Sequence, residues 1–294
     1  RDRHGAVGRC HGGSIVGYRA MLCMFPEQQR AYFWSINTDS ETADHNRLDQ
    51  LFIDALGIAA PAPAAPAAMA DDIVDWDGVY VPAPNRMATF VWLDTVFGFI
   101  QVRREGAVLR LAPLQSSASL LTPVGATLFR GPDRTIASHA LLTAADGTRV
   151  LSTGTQSYEW IPLPKLALLW ASLIAGVLGL VWLLLSGLGR LLARRMPPSH
   201  PVFVPLLGIL ALLLPLPLFL RQSFLQLGDL TWASGLLAIV TATLPLTMLV
   251  GLVLQFRSPG SGVVARFDLL AMLAVVQWAL VLAAWGLLPL RLWA

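Results

Sequence analysis

Charge is what this chain has least of. Asp, Glu, Lys and Arg make up 13% of its 294 residues, against 55% hydrophobic ones, too little for an ordinary soluble protein. The deficit is uneven, because nearly all of the apolar excess falls after Pro162. Cysteine is almost absent as well. Cys10 and Cys23 cannot build a disulfide scaffold, although a hairpin turning near Val16 and Gly17 would set them about opposite each other. One bridge in an oxidising compartment and two separately buried thiols both remain open, the thiols being the plainer reading. No basic run with interleaved aromatics occurs, so the net charge of +3 carries no nucleic-acid footprint.

What is abundant is long apolar sequence. Four segments, 163–189, 202–220, 230–256 and 269–290, each reach the roughly 18 residues a helix needs to cross a bilayer, so four transmembrane helices are predicted. Pro205, Pro215 and Pro217 in the second and Pro245 in the third should bend them or mark helix ends. Arg190, Arg194 and Arg195 follow the first span, and Arg257 and Arg266 follow the third. The other side carries only Lys165, Arg221 and Arg291. The positive-inside rule puts the first group in the cytoplasm and residues 1–161 outside it. Within the spans no ionisable side chain occurs except at the ends, which disfavours a transporter. The bundle reads as a membrane anchor, or as a scaffold through which copies pair into a homo-oligomer. Were it the working part, Gln277 and Thr243 would have to line a polar cavity.

Ahead of the spans the pattern changes twice. Residues 58–71 are a proline and alanine tract that reads as a semi-extended linker. Residues 72–161 carry short β-like runs at 78–81, 87–93, 97–103, 108–113, 119–122, 127–129, 138–143 and 149–152, divided by turn residues such as Asp146-Gly147. Such spacing argues for a small barrel or sandwich.

Residues 1–57 hold the stretch that looks like chemistry: Arg9-Cys10-His11-Gly12-Gly13-Ser14-Ile15-Val16-Gly17-Tyr18-Arg19. Glycines after a histidine leave bare backbone beside an imidazole, which suits a substrate lying close to the main chain. A β-like run to Met24, a turn at Phe25-Pro26-Glu27-Gln28-Gln29 and a second run to Asn37 complete a hairpin by pattern. A helix follows with Leu48, Leu51, Phe52, Ala55 and Leu56 on one stripe. In this order the stretch resembles the end of the catalytic domain of the serine β-lactamase and penicillin-binding-protein-like hydrolases, a family that includes class C β-lactamases, D-aminopeptidases and esterases. The opening Trp76-Asp77-Gly78-Val79-Tyr80 looks like the first strand of the lipocalin-like barrels found in some relatives.

The resemblance implies a multidomain chain: an α+β remnant of a β-lactamase-like fold, an all-β lipocalin-like barrel or sandwich, and a four-helix transmembrane bundle in a bacterial inner membrane. It implies that His11 lines the site as part of the family's third motif, that Gly12 and Gly13 leave room for a small-molecule or peptide substrate, and that the Ser14 amide helps hold an oxyanion. The family's Ser-x-x-Lys motif does not precede His11. The chain is therefore expected to be the C-terminal part of a longer hydrolase, inactive alone because acyl transfer needs a nucleophile and its base. Ser14 is not expected to be that nucleophile, since it shares a strand with His11 and no nearby carboxylate orients the ring. A metal site from Cys10, His11, Cys23, His4 and His45 is disfavoured because Cys10 and His11 point to opposite faces of a strand, and no cofactor is expected. Asp39, Glu41 and Asp44 read as capping partners of the helix that follows. The rival reading is a non-catalytic, membrane-anchored β-barrel that binds an apolar ligand or a protein partner.

Overall fold

A two-residue turn at Val16-Gly17 sets the register of the N-terminal sheet. Gly17 has φ +83°, which a side chain would resist. After a two-residue hairpin, β1 (Asp2–Arg3) and β2 (Ala6–Val7), the chain forms an antiparallel sheet in the order β3 (Arg9–Ile15), β4 (Tyr18–Phe25), β5 (Arg30–Ile36). The computed structural model describes residues 2–3, 5–38, 42–85, 87–257 and 262–293.

Helix α1 (Asn46–Ala55) covers one face of this sheet. Its buried stripe is shifted by about one residue from the predicted one. Asp49 and Ile53 are buried, Leu48 and Leu56 pack at the margin of the core, and Leu51 is exposed. A polar residue thus occupies a core position, which an apolar-stripe reading passes over. Asp49 accepts hydrogen bonds from Trp34 Nε1 (2.8 Å) and Tyr32 Oη (3.0 Å), so the carboxylate is buried with donors. Cys10 and Cys23 are directly opposite and joined as a disulfide, which replaces the two-thiol reading.

The proline and alanine tract lies along the barrel that follows it. The Ala64, Ala67 and Ala70 amides donate to the Thr135, Pro123 and Ala126 carbonyls. Eight strands then close on themselves: β6 (Gly78–Pro82), β7 (Ile100–Glu105), β8 (Val108–Pro113), β9 (Ser119–Pro123), β10 (Leu128–Arg130), β11 (His139–Thr143), β12 (Arg149–Ser152) and β13 (Ser157–Ile161). Each strand pairs antiparallel with its neighbours in sequence, and β13 pairs with β6 to shut the barrel. Tyr80, Ile100, Val102, Leu109, Leu111, Leu121, Phe129, Leu141 and Leu151 pack together inside with Ile73 and Trp76. Alternation supplies one inward residue at every second position.

The expected strand at 87–93 is helical instead, in a 3-10 turn (Ala88–Phe90) running into α2 (Val91–Phe97). Its β-branched and aromatic residues suggest a strand, but tertiary packing overrides them. Trp92 and Val96 are buried in one cluster with Leu169, Leu282 and Leu287. The contacts accordingly divide the chain into two units, Arg1–Pro84 with Gly98–Pro162 and Asn85–Phe97 with Leu163–Ala294.

Among the described residues of the second unit three helices are long and apolar enough to cross a membrane: α3 (Leu163–Leu192), α6 (Trp232–Arg257) and α7 (Val263–Ala284). The second predicted span is broken into α4 (Phe203–Ala211) and α5 (Leu216–Phe219), so the four-span expectation becomes three full helices and one interrupted one. Pro215 and Pro217 supply no N–H for an i→i−4 bond, and the intervening residues make shorter bonds such as Leu213 N–H to Leu210 O and Leu214 N–H to Ala211 O. Pro245, by contrast, lies inside an uninterrupted α6.

Two outcomes test the N-terminal lobe. In protein from an oxidising compartment neither cysteine reacts with maleimide until a reductant is added; a thiol reactive beforehand contradicts the pairing. Asp49→Ala removes the acceptor that Trp34 and Tyr32 share, and leaving the buried Trp34 N–H unsatisfied costs about 1–3 kcal/mol, read as a lower thermal midpoint of the first unit; an unchanged midpoint refutes the role.

Candidate functional site

The register divides the predicted site residues between two faces of the sheet. His11 lies opposite Leu22, which lies opposite Phe33, and Gly13 opposite Ala20 and Ser35. Directly opposed residues share a face, so His11 and Gly13 stand on the face away from α1. That face is uncovered: Ile15, Tyr18, Leu22, Met24 and Phe33 are 56, 58, 40, 44 and 64% exposed. Gly12 and Ser14 lie opposite Met21 and Arg19, on the face that carries Trp34. A Ser14–His11 pair is therefore divided by the sheet.

Backbone direction matters more than side-chain face here. The Cys10 and Cys23 Cα atoms are 4.1 Å apart, the spacing of a non-hydrogen-bonded antiparallel pair. Alternation places Gly12 and Ser14 in the same class, and β3 is an edge strand. Their N–H and C=O groups are thus turned toward the open edge. A Cβ on Gly13 would meet nothing within 4 Å, whereas one on Gly12 would press on the Met21 side chain; both residues are exposed, so the backbone at the edge is accessible to an extended partner.

A cleft of about 230 Å³ adjoins this edge, lined by Gly12, Gly13, Ser14, Arg19, Met21, Trp34, His45, Asn46 and Asp49. Arg19 Nη1 donates to His45 Nδ1 at 3.3 Å, and the His45 ring stacks near Trp34 with 6.4 Å between centroids. A guanidinium can only donate, so the neutral His45 ring carries its proton on Nε2. Arg19 Nε and His45 Nε2 are both buried without a hydrogen-bond partner among the described residues. The cleft is therefore rich in donors, suited to a group that accepts hydrogen bonds. Three of the four predicted residues meet in it, while His11 stands apart. Sequence reasoning takes Arg19 only as the end of the glycine-rich stretch and weighs His45 only as a metal ligand; it misses their pairing in this cleft, whose signal is two basic side chains at the turn end of β4 and the start of α1.

Other candidates resolve into structural roles. Cys10 and Cys23 are consumed by each other, and no group of three metal-ligating side chains occurs among the described residues. His4, Asp39 and Glu41 lie outside the described residues, and Asp44 accepts from the Asn46 amide at 3.1 Å in the turn that leads into α1, whose N-cap is His45 and carries no side-chain cap bond. Gln277 donates to the Ser172 and Ala274 carbonyls and accepts from Ser172 Oγ, and Thr243 donates to the Val240 carbonyl; both are tied to backbone. Lys165, the chain's only lysine, lies in the first turn of α3 with Pro162 three residues before it.

A second cleft, of about 330 Å³, lies on the barrel between the β10–β11 and β12–β13 connections, lined by Arg134, Ser138, His139, Thr153 and Thr155. Ser138 Oγ accepts from the Gly131 amide and lies 2.9 Å from His139 Nδ1. No protein-family model and no curated protein matches this chain.

Burial, with Arg134 as the second cause, holds the His139 pKa below its ordinary value. The fold thus prefers the neutral ring. Its contribution is complete above the unfolded-state pKa and is lost as pH falls through the lowered folded-state value. As pH falls through and below the ordinary histidine value of about 6.5 the thermal midpoint of the first unit should fall, and His139→Gln should flatten that fall; an equally steep fall in the variant contradicts the assignment.

Proposed function

We propose that the chain is the C-terminal part of a membrane-anchored serine hydrolase of the β-lactamase and penicillin-binding-protein-like family, acting outside the cytoplasm on an amide or ester substrate. The observation that carries this reading is the open edge of β3, where the Gly12 and Ser14 peptide groups face outward beside a donor-rich cleft. A substrate acyl group laid along that edge would meet the Ser14 N–H at its carbonyl oxygen. The uncovered face bearing His11, Leu22 and Phe33 would receive the part of the enzyme that carries the nucleophile. A contiguous apolar face of this kind marks an interaction surface.

In the reaction the nucleophilic serine Oγ attacks the carbonyl carbon and gives its proton to a neighbouring base. Negative charge gathers on the carbonyl oxygen, where a preoriented N–H is worth most. Collapse breaks the C–N or C–O bond as the leaving group takes the proton, and water then attacks the acyl-enzyme by the same route. The disulfide and the arginines clustered at one end of the helices support an extracytoplasmic site with the helices crossing the inner membrane. A second reading, in which the barrel is a binding module, rests on the 330 Å³ cleft beside His139.

A fluorophosphonate or penicillin probe separates these readings. The full-length gene product should be labelled on a serine upstream of Arg1, and His11→Ala should slow labelling by at least about tenfold. Absence of labelling, together with an upstream sequence lacking Ser-x-x-Lys, would end the hydrolase reading.

A further inference from the structure

The outer side of the α3–α7 pair carries an apolar groove of about 770 Å³. Leu178, Leu185, Phe267 and Leu270 form its walls, and its floor lies where Gly179 brings the helices together. A Cβ on Gly179 would fall 2.7 Å from the Ala271 carbonyl oxygen, so the backbones approach closely and the missing side chain deepens the groove. Both helices are long and apolar enough to cross a membrane, so hydrocarbon or another helix must fill it.

The charges at one end of the groove decide between these. Asp268, buried just beyond Phe267, is taken up by Arg190 Nη2 (2.8 and 3.0 Å) and Trp182 Nε1 (2.9 Å). Arg194 and Arg195 after α3, and Arg266 beside Phe267, are exposed and form no ion pair with the described residues. That end therefore has surplus positive charge. A second copy in the same membrane orientation would bring its own arginines to the same membrane face, and like charges would oppose its docking. An anionic lipid headgroup is attracted there instead.

We propose that this groove holds an acyl chain of an anionic phospholipid whose headgroup is drawn to the arginines at that end of the helices, Arg266 beside the groove and Arg194 and Arg195 beyond the end of α3. The site is independent of the hydrolase reading. Walls without charge grip the tail, while the arginine end selects the headgroup.

Native mass spectrometry of the full chain in detergent, titrated with phosphatidylglycerol or phosphatidylcholine of identical tails, tests it. Phosphatidylglycerol should be retained at least about tenfold more strongly. The triple variant Arg194→Gln, Arg195→Gln, Arg266→Gln should bring the two lipids within about twofold of each other. Ala274→Phe, which fills the groove from α7, should weaken both lipids; Ala274→Leu provides a milder filling in case the larger ring disturbs the helices. Equal retention of both lipids by the unaltered chain, or preference unchanged in the triple variant, overturns the proposal. So does a dimer mass that Ala274→Leu converts to monomer, which assigns the groove to a second copy.

Discussion

Peptide N–H and C=O groups must find partners wherever water is excluded, and each part of the chain answers that demand differently. The barrel answers it by closure: β13 returns to β6 and leaves no edge. The long helices answer it internally. The sheet of β3, β4 and β5 stays open, with β3 at its edge. The cross-strand disulfide and the two-residue turn hold that edge in one register, and a one-residue slip would exchange the faces of His11 and Ser14. A fixed edge with free backbone groups is a template for an extended ligand, which is why the functional reading concentrates there.

Much of the fold is legible in local pattern, and the failures have physical causes. The hairpin from Arg9 to Ile36 and the opposition of Cys10 to Cys23 follow from turn chemistry and alternation. In the barrel, seven of the eight predicted runs coincide with strands. The run at 87–93 is instead drawn into a helix by the aromatic cluster of Trp92, Phe97 and Trp170. The eighth strand, Ser157–Ile161, ends one residue before Pro162, where the apolar signal of α3 masks its short alternation. Partners distant in sequence decide both cases, and no window of residues contains them.

The candidate site was legible only in part. His11-Gly12-Gly13-Ser14 stands out because glycine pairs next to histidine are informative about backbone access. Arg19 and His45, 26 residues apart, become neighbours only when β4 and α1 are packed. Asp49 was hidden for the opposite reason, since a carboxylate in a helix reads as a solvent-facing residue until Trp34 and Tyr32 are seen to supply its donors.

Asp268 shows the same effect within the second unit and explains how α3 and α7, both long and apolar enough to cross a membrane, are aligned. In lipid, apolar side chains gain little by leaving the solvent for each other, so packing and polar contacts set helix register. Ser172 meets Gln277 and Trp182 meets Asp268; the separations, 182 minus 172 on α3 and 277 minus 268 on α7, are ten and nine residues, nearly equal as antiparallel partners require. Arg190 reaches back from about 12 Å further along α3 to complete the carboxylate's partners, leaving its aliphatic stem along the helix. Breaking a pair buried in this way exposes an unmatched charge, whereas forming it adds little net energy. The pair therefore acts chiefly against misaligned states: sliding α7 by one turn would separate both polar contacts and drive Gly179 away from the Ala271 carbonyl. The close backbone approach and the apolar groove beside it exist only in the register those polar contacts select.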